Sequence, residues 1–237
     1  MKKIITSVFV IVILTCMLFT SCLYGIRGNR KVVKSERQVS SFEAVSASAG
    51  IEVILLQDSV TKVVVEADSN LQEIIKTEVS NGELKIYPKK RISTCESKKV
   101  FVTFKNLHSI EASSGSEVKS TAELRFESLQ VSGSSGADIE LKITANKLNL
   151  EGSSGANITI KGNVQTLDVD GSSGANIKAK ELSSKSCNAG ASSGANLRLV
   201  VTDKINAQAS SGGNIKISGN PKERNVEKSS GGNVDID

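Results

Sequence analysis

From about residue 110 to the end of the chain, apolar or small residues occupy every second position. One stretch reads Leu129, Val131, Gly133, Ser135, Ala137, Ile139, Leu141, Ile143. The next reads Leu148, Leu150, Gly152, Ser154, Ala156, Ile158, Ile160, and a third follows from Leu167 to Ala179. A period of two predicts strands with one face turned inward. Short polar breaks such as Lys161-Gly162-Asn163 separate the stretches. Within each stretch a phrase recurs. It reads GSSGANI at 152–158 and 171–177, with variants GSSGADI at 133–139, ASSGANL at 191–197, ASSGGNI at 209–215, KSSGGNV at 228–234 and ASSGSEV at 112–118.

The glycines of the phrase, Gly115, Gly136, Gly155, Gly174, Gly194, Gly212 and Gly231, are spaced by 21, 19, 19, 20, 18 and 19 residues. A unit of about 19 residues cannot bury its apolar side alone, whereas stacked copies can. The pattern therefore predicts an all-β parallel solenoid, one coil per repeat, with like residues about 4.8 Å apart along the stack. Seven such coils would span roughly 30 Å.

In this reading Gly supplies backbone freedom where the chain bends between the two strands of a coil. Period two places Ser135, Ser154, Ser173, Ser193, Ser211 and Ser230, with Ser114 before them, on the inward phase as a hydroxyl ladder. Asn157, Asn176, Asn196, Asn214 and Asn233, with Asp138, are expected to stack as a second ladder. The phase is least secure at the bend itself.

Upstream, residues 40–110 predict irregular first coils. Ser48-Ala49-Gly50-Ile51-Glu52-Val53 echoes Ser113-Ser114-Gly115-Ser116-Glu117-Val118, so the solenoid is expected to begin near Phe42. Val63-Val64-Val65 reads as strand, and residues 70–75 as one or two helical turns. Residues 76–87 predict a hairpin turning at Asn81-Gly82. The following segment carries Lys89, Lys90, Arg91, Lys98 and Lys99. It reads either as a solvated loop or as a contact for an acidic polymer.

The N-terminus has a different character. Lys2 and Lys3 precede an apolar run, Ile4 to Phe19, and then Thr20-Ser21-Cys22. The run of about 16 residues is short for a membrane-spanning helix. The arrangement resembles the lipobox of bacterial lipoproteins, which implies a signal peptide over 1–21 and lipid attachment at Cys22. A plain secretory signal and a membrane anchor are the alternatives. Residues 22–39 are polar and basic and are expected to form a flexible tether, or to place Arg27, Arg30, Lys31, Lys34 and Arg37 on anionic head groups. Residues 40–237 are then the single head domain, with the regular repeats over 111–237.

Charge narrows the function. The net charge is +5, but residues 110–237 are balanced, with 14 Lys+Arg against 15 Asp+Glu. That argues against a nucleic-acid groove along the repeats. A calcium nonapeptide repeat needs a carboxylate in every copy and a nine-residue period, whereas only one copy here has Asp, at Asp138, and the period is doubled. A phosphate-binding Gly loop needs a Lys beside it and a helix after it. A serine nucleophile needs a base, and the single His108 lies outside the phrase. The phrase therefore reads as architecture, with no catalytic residues, no cofactor and no metal. Of the three cysteines left after export, Cys95 and Cys187 could form the one possible disulfide, but two free thiols are expected because Cys187 falls on an inward phase.

Together, Phe42 to Val53 (FEAVSASAGIEV), the hairpin NGELKI at 81–86, the strand VFVTF at 100–104 and the serial SSGAN phrases resemble the "putative auto-transporter adhesin, head GIN domain" family of bacterial envelope proteins. The resemblance covers residues 40–237. It implies a right-handed parallel β-solenoid with an adhesive role and offers no catalytic residues. The expected function is a lipid-anchored envelope interaction module on the outer membrane, its periplasmic or surface face open, its ligand unidentified and its state a monomer or weak dimer. The alternatives are a solenoid enzyme acting on acidic polysaccharide and a structural periplasmic lipoprotein.

Overall fold

The computed structural model describes residues 24–237; the expected signal peptide and Cys22 lie outside the described residues. The described residues hold eighteen strands, a single 3₁₀ turn at Ser69–Leu71 and no α-helix. No helix among them is long and apolar enough to cross a membrane.

The regular part is built from five long strands: β11 (Glu117–Gly133), β12 (Asp138–Gly152), β13 (Asn157–Gly171), β14 (Asn176–Ala191) and β15 (Asn196–Ala209). Each pairs in parallel with the next. The last coil comprises β16 (Asn214–Ser218), β17 (Glu223–Lys228) and β18 (Asn233–Ile236). The chain is thus a parallel β-solenoid of about seven turns. Each long strand starts on one sheet just after a phrase, rounds a third side, and finishes on a second sheet just before the next phrase.

The interior is a set of columns one residue deep per coil. On the sheet before the phrase, Val131, Leu150, Val169, Ala189 and Ala207 stack in register and are buried. On the sheet after it, Val118, Ile139, Ile158, Ile177, Leu197, Ile215 and Val234 do the same. Burying a side chain of this size stabilises by about 1.5–3 kcal/mol. Cys187 occupies the column between Leu167 and Ile205 and is buried, and both Cys95 and Cys187 are free thiols.

The phrase forms the corner between the sheets. Ser135 and Gly136 both have positive φ, 51° and 70°, and the Ala137 N–H donates to the Ser134 carbonyl at 3.1 Å. Two left-handed central residues inside a four-residue hydrogen-bonded turn make a type I′ turn. The same pair is left-handed at Ser114-Gly115, Ser154-Gly155, Ser173-Gly174, Ser193-Gly194, Ser211-Gly212 and Ser230-Gly231, and at Ala49-Gly50 in the first coil. Nothing lies within 4 Å of where a Cβ on Gly136 or Gly155 would sit. Glycine is required there by conformation, not by space.

This corrects the inward serine ladder. Ser135, Ser154, Ser173, Ser193, Ser211 and Ser230 are exposed. The period of two holds on both sides of the corner, as at Gly133 and Ala137, but the left-handed residue between them projects off the edge. These serines stack through backbone instead: the Gly136 N–H donates to the Ser154 carbonyl at 3.1 Å, and Gly155 to Ser173 likewise.

The N-terminal end is closed by segments out of sequential order. β3 (Ala44–Ala47) and β4 (Glu52–Gln57) form the first coil, stacked on β10 (Ser109–Ala112) and the start of β11. The chain between adds further strands at this end. β6 (Ile75–Ser80) and β7 (Glu83–Pro88) form the expected hairpin on one sheet, turning at Asn81-Gly82. β5 (Lys62–Asp68) and β9 (Lys98–Phe104) extend the other.

The expected flexible tether is also corrected here. Residues 26–37 hold β1 (Ile26–Arg27), paired with β8 (Ile92–Thr94), and β2 (Val32–Arg37), paired antiparallel with β5. Asp68 fastens them. Its buried carboxylate accepts backbone N–H groups from Arg30 at 2.8 Å, Ser97 at 3.0 Å and Glu96 at 3.1 Å. Gln72 donates to the Val33 carbonyl at 2.8 Å, and the Asn70 amide to Arg27 at 2.8 Å. These are long-range polar contacts that leave no local periodicity in the sequence.

Burial pushes the Asp68 carboxyl up, but the N–H donors of Ser97, Arg30 and Glu96 outweigh it and hold its pKa below the ordinary value. Its ionisation therefore stabilises the fold above about pH 4, and that contribution is lost as pH falls through the depressed native value. Asp68→Asn is expected to destabilise by about 2–3 kcal/mol at neutral pH. In urea titrations the gap to the native protein should narrow as the pH drops below about 4. A gap constant with pH would contradict this.

Candidate functional site

The solvent face of the sheet before the phrase carries three columns. Nearest the corner run Ser134, Ser153, Ser172, Ser192 and Ser210, all half-buried. Next to them, in register, stand Glu111, Ser132, Glu151, Asp170, Gly190 and Gln208, with Glu227 on β17. The third column is Asn149, Asp168, Asn188, Asn206 and Asn225.

The first two columns line a groove of roughly 820 Å³ that crosses successive coils from Ser132 to Ser229. Its floor is small because Ser153, Ser172, Ser192 and Ser210 line it and because Gly152 and Gly171 face the opposite sheet closely. A Cβ on Gly171 would lie 2.6 Å from Leu197 Cδ1. Gly190 leaves a notch into which Asp170 leans, since a Cβ there would lie 2.3 Å from Asp170 Oδ1. Burial and the neighbouring Asp168 carboxylate both push the Asp170 carboxyl up. The groove is thus aromatic-free, with a Ser repeated in every coil, a second column that runs Ser, Glu, Asp, Gly, Gln, Glu, and Lys228 at its far end.

The third column is an amide ladder that the period-two reading missed. The Asn188 amide donates to Asp168 Oδ1 at 2.7 Å and the Asn206 amide to Asn188 Oδ1 at 2.8 Å. Lys147 pairs with the other Asp168 oxygen at 3.2 Å. The signal in the sequence was Asn or Asp recurring between two inward residues, as in Leu148-Asn149-Leu150 and Leu167-Asp168-Val169.

The expected Asn ladder after the phrase forms only in part. Asn157 donates to Asp138 at 3.0 Å, Asn176 to Asn157 at 3.4 Å and Asn233 to Asn214 at 3.1 Å. Asn196 instead turns to the Gly194 carbonyl at 3.2 Å. The five cations expected after the hairpin do not form one cluster. Lys89, Lys90 and Arg91 are exposed at the turn before β8, whereas Lys98 and Lys99 begin β9 and are half-buried. Lys99 pairs with Glu52 at 3.4 Å, and Lys119 pairs with the same carboxylate.

His108 is exposed and faces Glu43 at 4.0 Å. Among the described residues no group of three or more His, Cys, Asp or Glu could hold a metal ion.

A family model described as "Putative auto-transporter adhesin, head GIN domain" matches residues 41–221. The chain belongs to this family. The matched region begins where the first coil begins and covers the corners from Ala49-Gly50 to Ser211-Gly212. No curated protein matches the chain. Its fold is shared with a crystal structure described as a "putative adhesin" from Bacteroides fragilis NCTC 9343, at a TM-score of 0.83 and 19% identity, over 90% of this chain and 100% of that one. A second "putative adhesin", from Parabacteroides distasonis ATCC 8503, gives 0.72 and 21% over 90% and 99%. A "putative lipid binding protein" from the same organism gives 0.67 and 18% over 90% and 99%. At these identities the likeness is one of fold, and the family supports a binding module.

The two ladders predict different sensitivities. Asn188→Ala removes two side-chain hydrogen bonds and is expected to destabilise by about 1–2 kcal/mol in chemical denaturation. Asn196→Ala, which breaks no bond between coils, should stay within about 0.5 kcal/mol. Equal losses would contradict the assignment.

Proposed function

We propose that the chain is a non-catalytic interaction module of the cell envelope, exported by residues 1–21, attached by lipid at Cys22, and presenting the groove of the solenoid to an extended partner. The groove carries this reading. It repeats a Ser in every coil, with acid or amide beside it at Glu151, Asp170, Gln208 and Glu227, which suits an extended ligand such as a polymer chain lying along the stack. Glu151, Asp170 and Glu227 line it against one cation, Lys228. They favour a neutral polyhydroxyl or basic partner and would repel an acidic polysaccharide. The resemblance of Thr20-Ser21-Cys22 to a lipobox supports the anchor, and the family supports the adhesive role.

The test has two readouts. Mass spectrometry of the mature protein should find its N-terminus at Cys22 with acyl groups attached; an unmodified Cys22 overturns the anchor. Adhesion of cells carrying the native protein should exceed that of cells carrying Glu151→Arg with Asp170→Arg by at least about tenfold, the loss of roughly 1.4 kcal/mol of binding. Equal adhesion by both strains, and by cells lacking the protein, would leave a structural lipoprotein as the better description.

A further inference from the structure

The folded chain starts very close to the proposed anchor. The Ile26 N–H is already bonded to the Arg91 carbonyl at 2.8 Å, and the Gly28 N–H to Thr94 at 2.7 Å. Three residues lie between Cys22 and Ile26, so the four backbone steps reach at most roughly 14 Å. Nothing in that span can act as a long spacer. An acylated Cys22 therefore brings the end of the solenoid that carries β1 and β8 against the lipid surface.

That end has the chemistry to meet it. Arg27, Arg30, Lys31, Lys89 and Lys90 are exposed and make no ion pair among the described residues. Arg37, Lys76, Lys89 and Lys90 line one depression with Ile26 and the carboxylates of Glu36, Glu73 and Glu78, so the hairpin's cations are brought beside the first strand. Of the nearby carboxylates, Glu66 is occupied by Lys34 at 3.1 Å, Glu36 by Lys62 at 2.9 Å, and Asp68 by three backbone donors. Among the described residues, Glu73, Glu78 and Glu96 remain exposed without an ion pair, Glu78 accepting only the Tyr87 hydroxyl, and are outnumbered by the five free cations, so the end stays positive. Tyr24 is 95% exposed and stands between anchor and fold, where an amphipathic ring suits the head-group layer. The repeats beyond are electrically balanced, so the attraction is confined to this one end.

We infer that the β1–β8 end is a membrane-docking base: its unpaired cations seat on anionic phospholipid head groups of the leaflet that holds the acyl chains, and Asp68 keeps the base rigid so that the solenoid has a fixed orientation on the membrane. This rests on the lipid attachment proposed above. It turns a tethered head into an oriented one, with the groove held along a rod based on the bilayer.

The full protein, purified from cells in detergent, is reconstituted into phosphatidylcholine vesicles with or without phosphatidylglycerol, and its acylation is read by mass spectrometry in the same sample. Amide hydrogen exchange over residues 26–31 and 88–92 should slow several-fold on the anionic vesicles only. The difference should vanish in 0.5 M salt, on the scale of a Debye length of about 4 Å. It should also vanish in an Arg27→Glu, Lys31→Glu, Lys90→Glu variant whose coils keep native exchange. Acylated protein that exchanges identically on both vesicles overturns the docking base and leaves the anchor standing. Protein without acyl groups at Cys22 overturns the anchor and the docking base together. A variant with lost protection in the coils is replaced by Lys90→Gln alone, which must still reduce the difference.

Discussion

Each coil depends on two consecutive left-handed residues. The Ser-Gly pair at the corner reverses the chain within four residues, and the coil can then close with its apolar side chains facing one another. Backbone bonds such as Gly136 to Ser154 tie each corner to the next. Variation in coil length is kept away from it. The units of 21, 20 and 18 residues put their register shifts on the third side, between Lys119 and Glu123, Thr159 and Lys161, and Ala179 and Ser186. A slip of one residue at the corner would turn the inward column of the next sheet to solvent. On the third side the same slip is absorbed by a bulge.

The corner also shapes the functional face. The serine that precedes each left-handed pair, Ser153, Ser172, Ser192 and Ser210, floors the sheet edge with small side chains, and the neighbouring outward column supplies mostly acids and amides. The groove is a by-product of coil closure that becomes a repeating surface. The two ends of the stack differ. The N-terminal end is covered by the hairpin, by β5 and by the N-terminal strands. At the C-terminal end, Arg224 and Lys228 take positions in register with the buried Ile205 and Ala209 yet are exposed. Charge at inward positions discourages another strand from adding there.

Period-two patterning made the solenoid, the hairpin and most of the interior legible, because each inward column needs the same small set of apolar residues in every copy. Two features escaped it. The exposed serines escaped because parity survives across a type I′ corner although the residue between does not obey it. The ordered N-terminal segment escaped because Asp68, Asn70 and Gln72 hold it through contacts 38 to 43 residues apart in sequence. The amide ladder through Asn188 was present as a pattern, but an outward Asn looks like any solvated residue until the register is known.

The central claim is that the corner, and not the third side, sets the fold. Its most direct test compares the stability of two single-residue insertions, one Ala between Ser154 and Gly155 and one after Gly162, by chemical denaturation. The corner insertion should prevent cooperative folding or remove most of the stability, since every inward residue from Ala156 onward would change face. The third-side insertion should cost about 1–2 kcal/mol. Equal tolerance of both insertions would contradict the account.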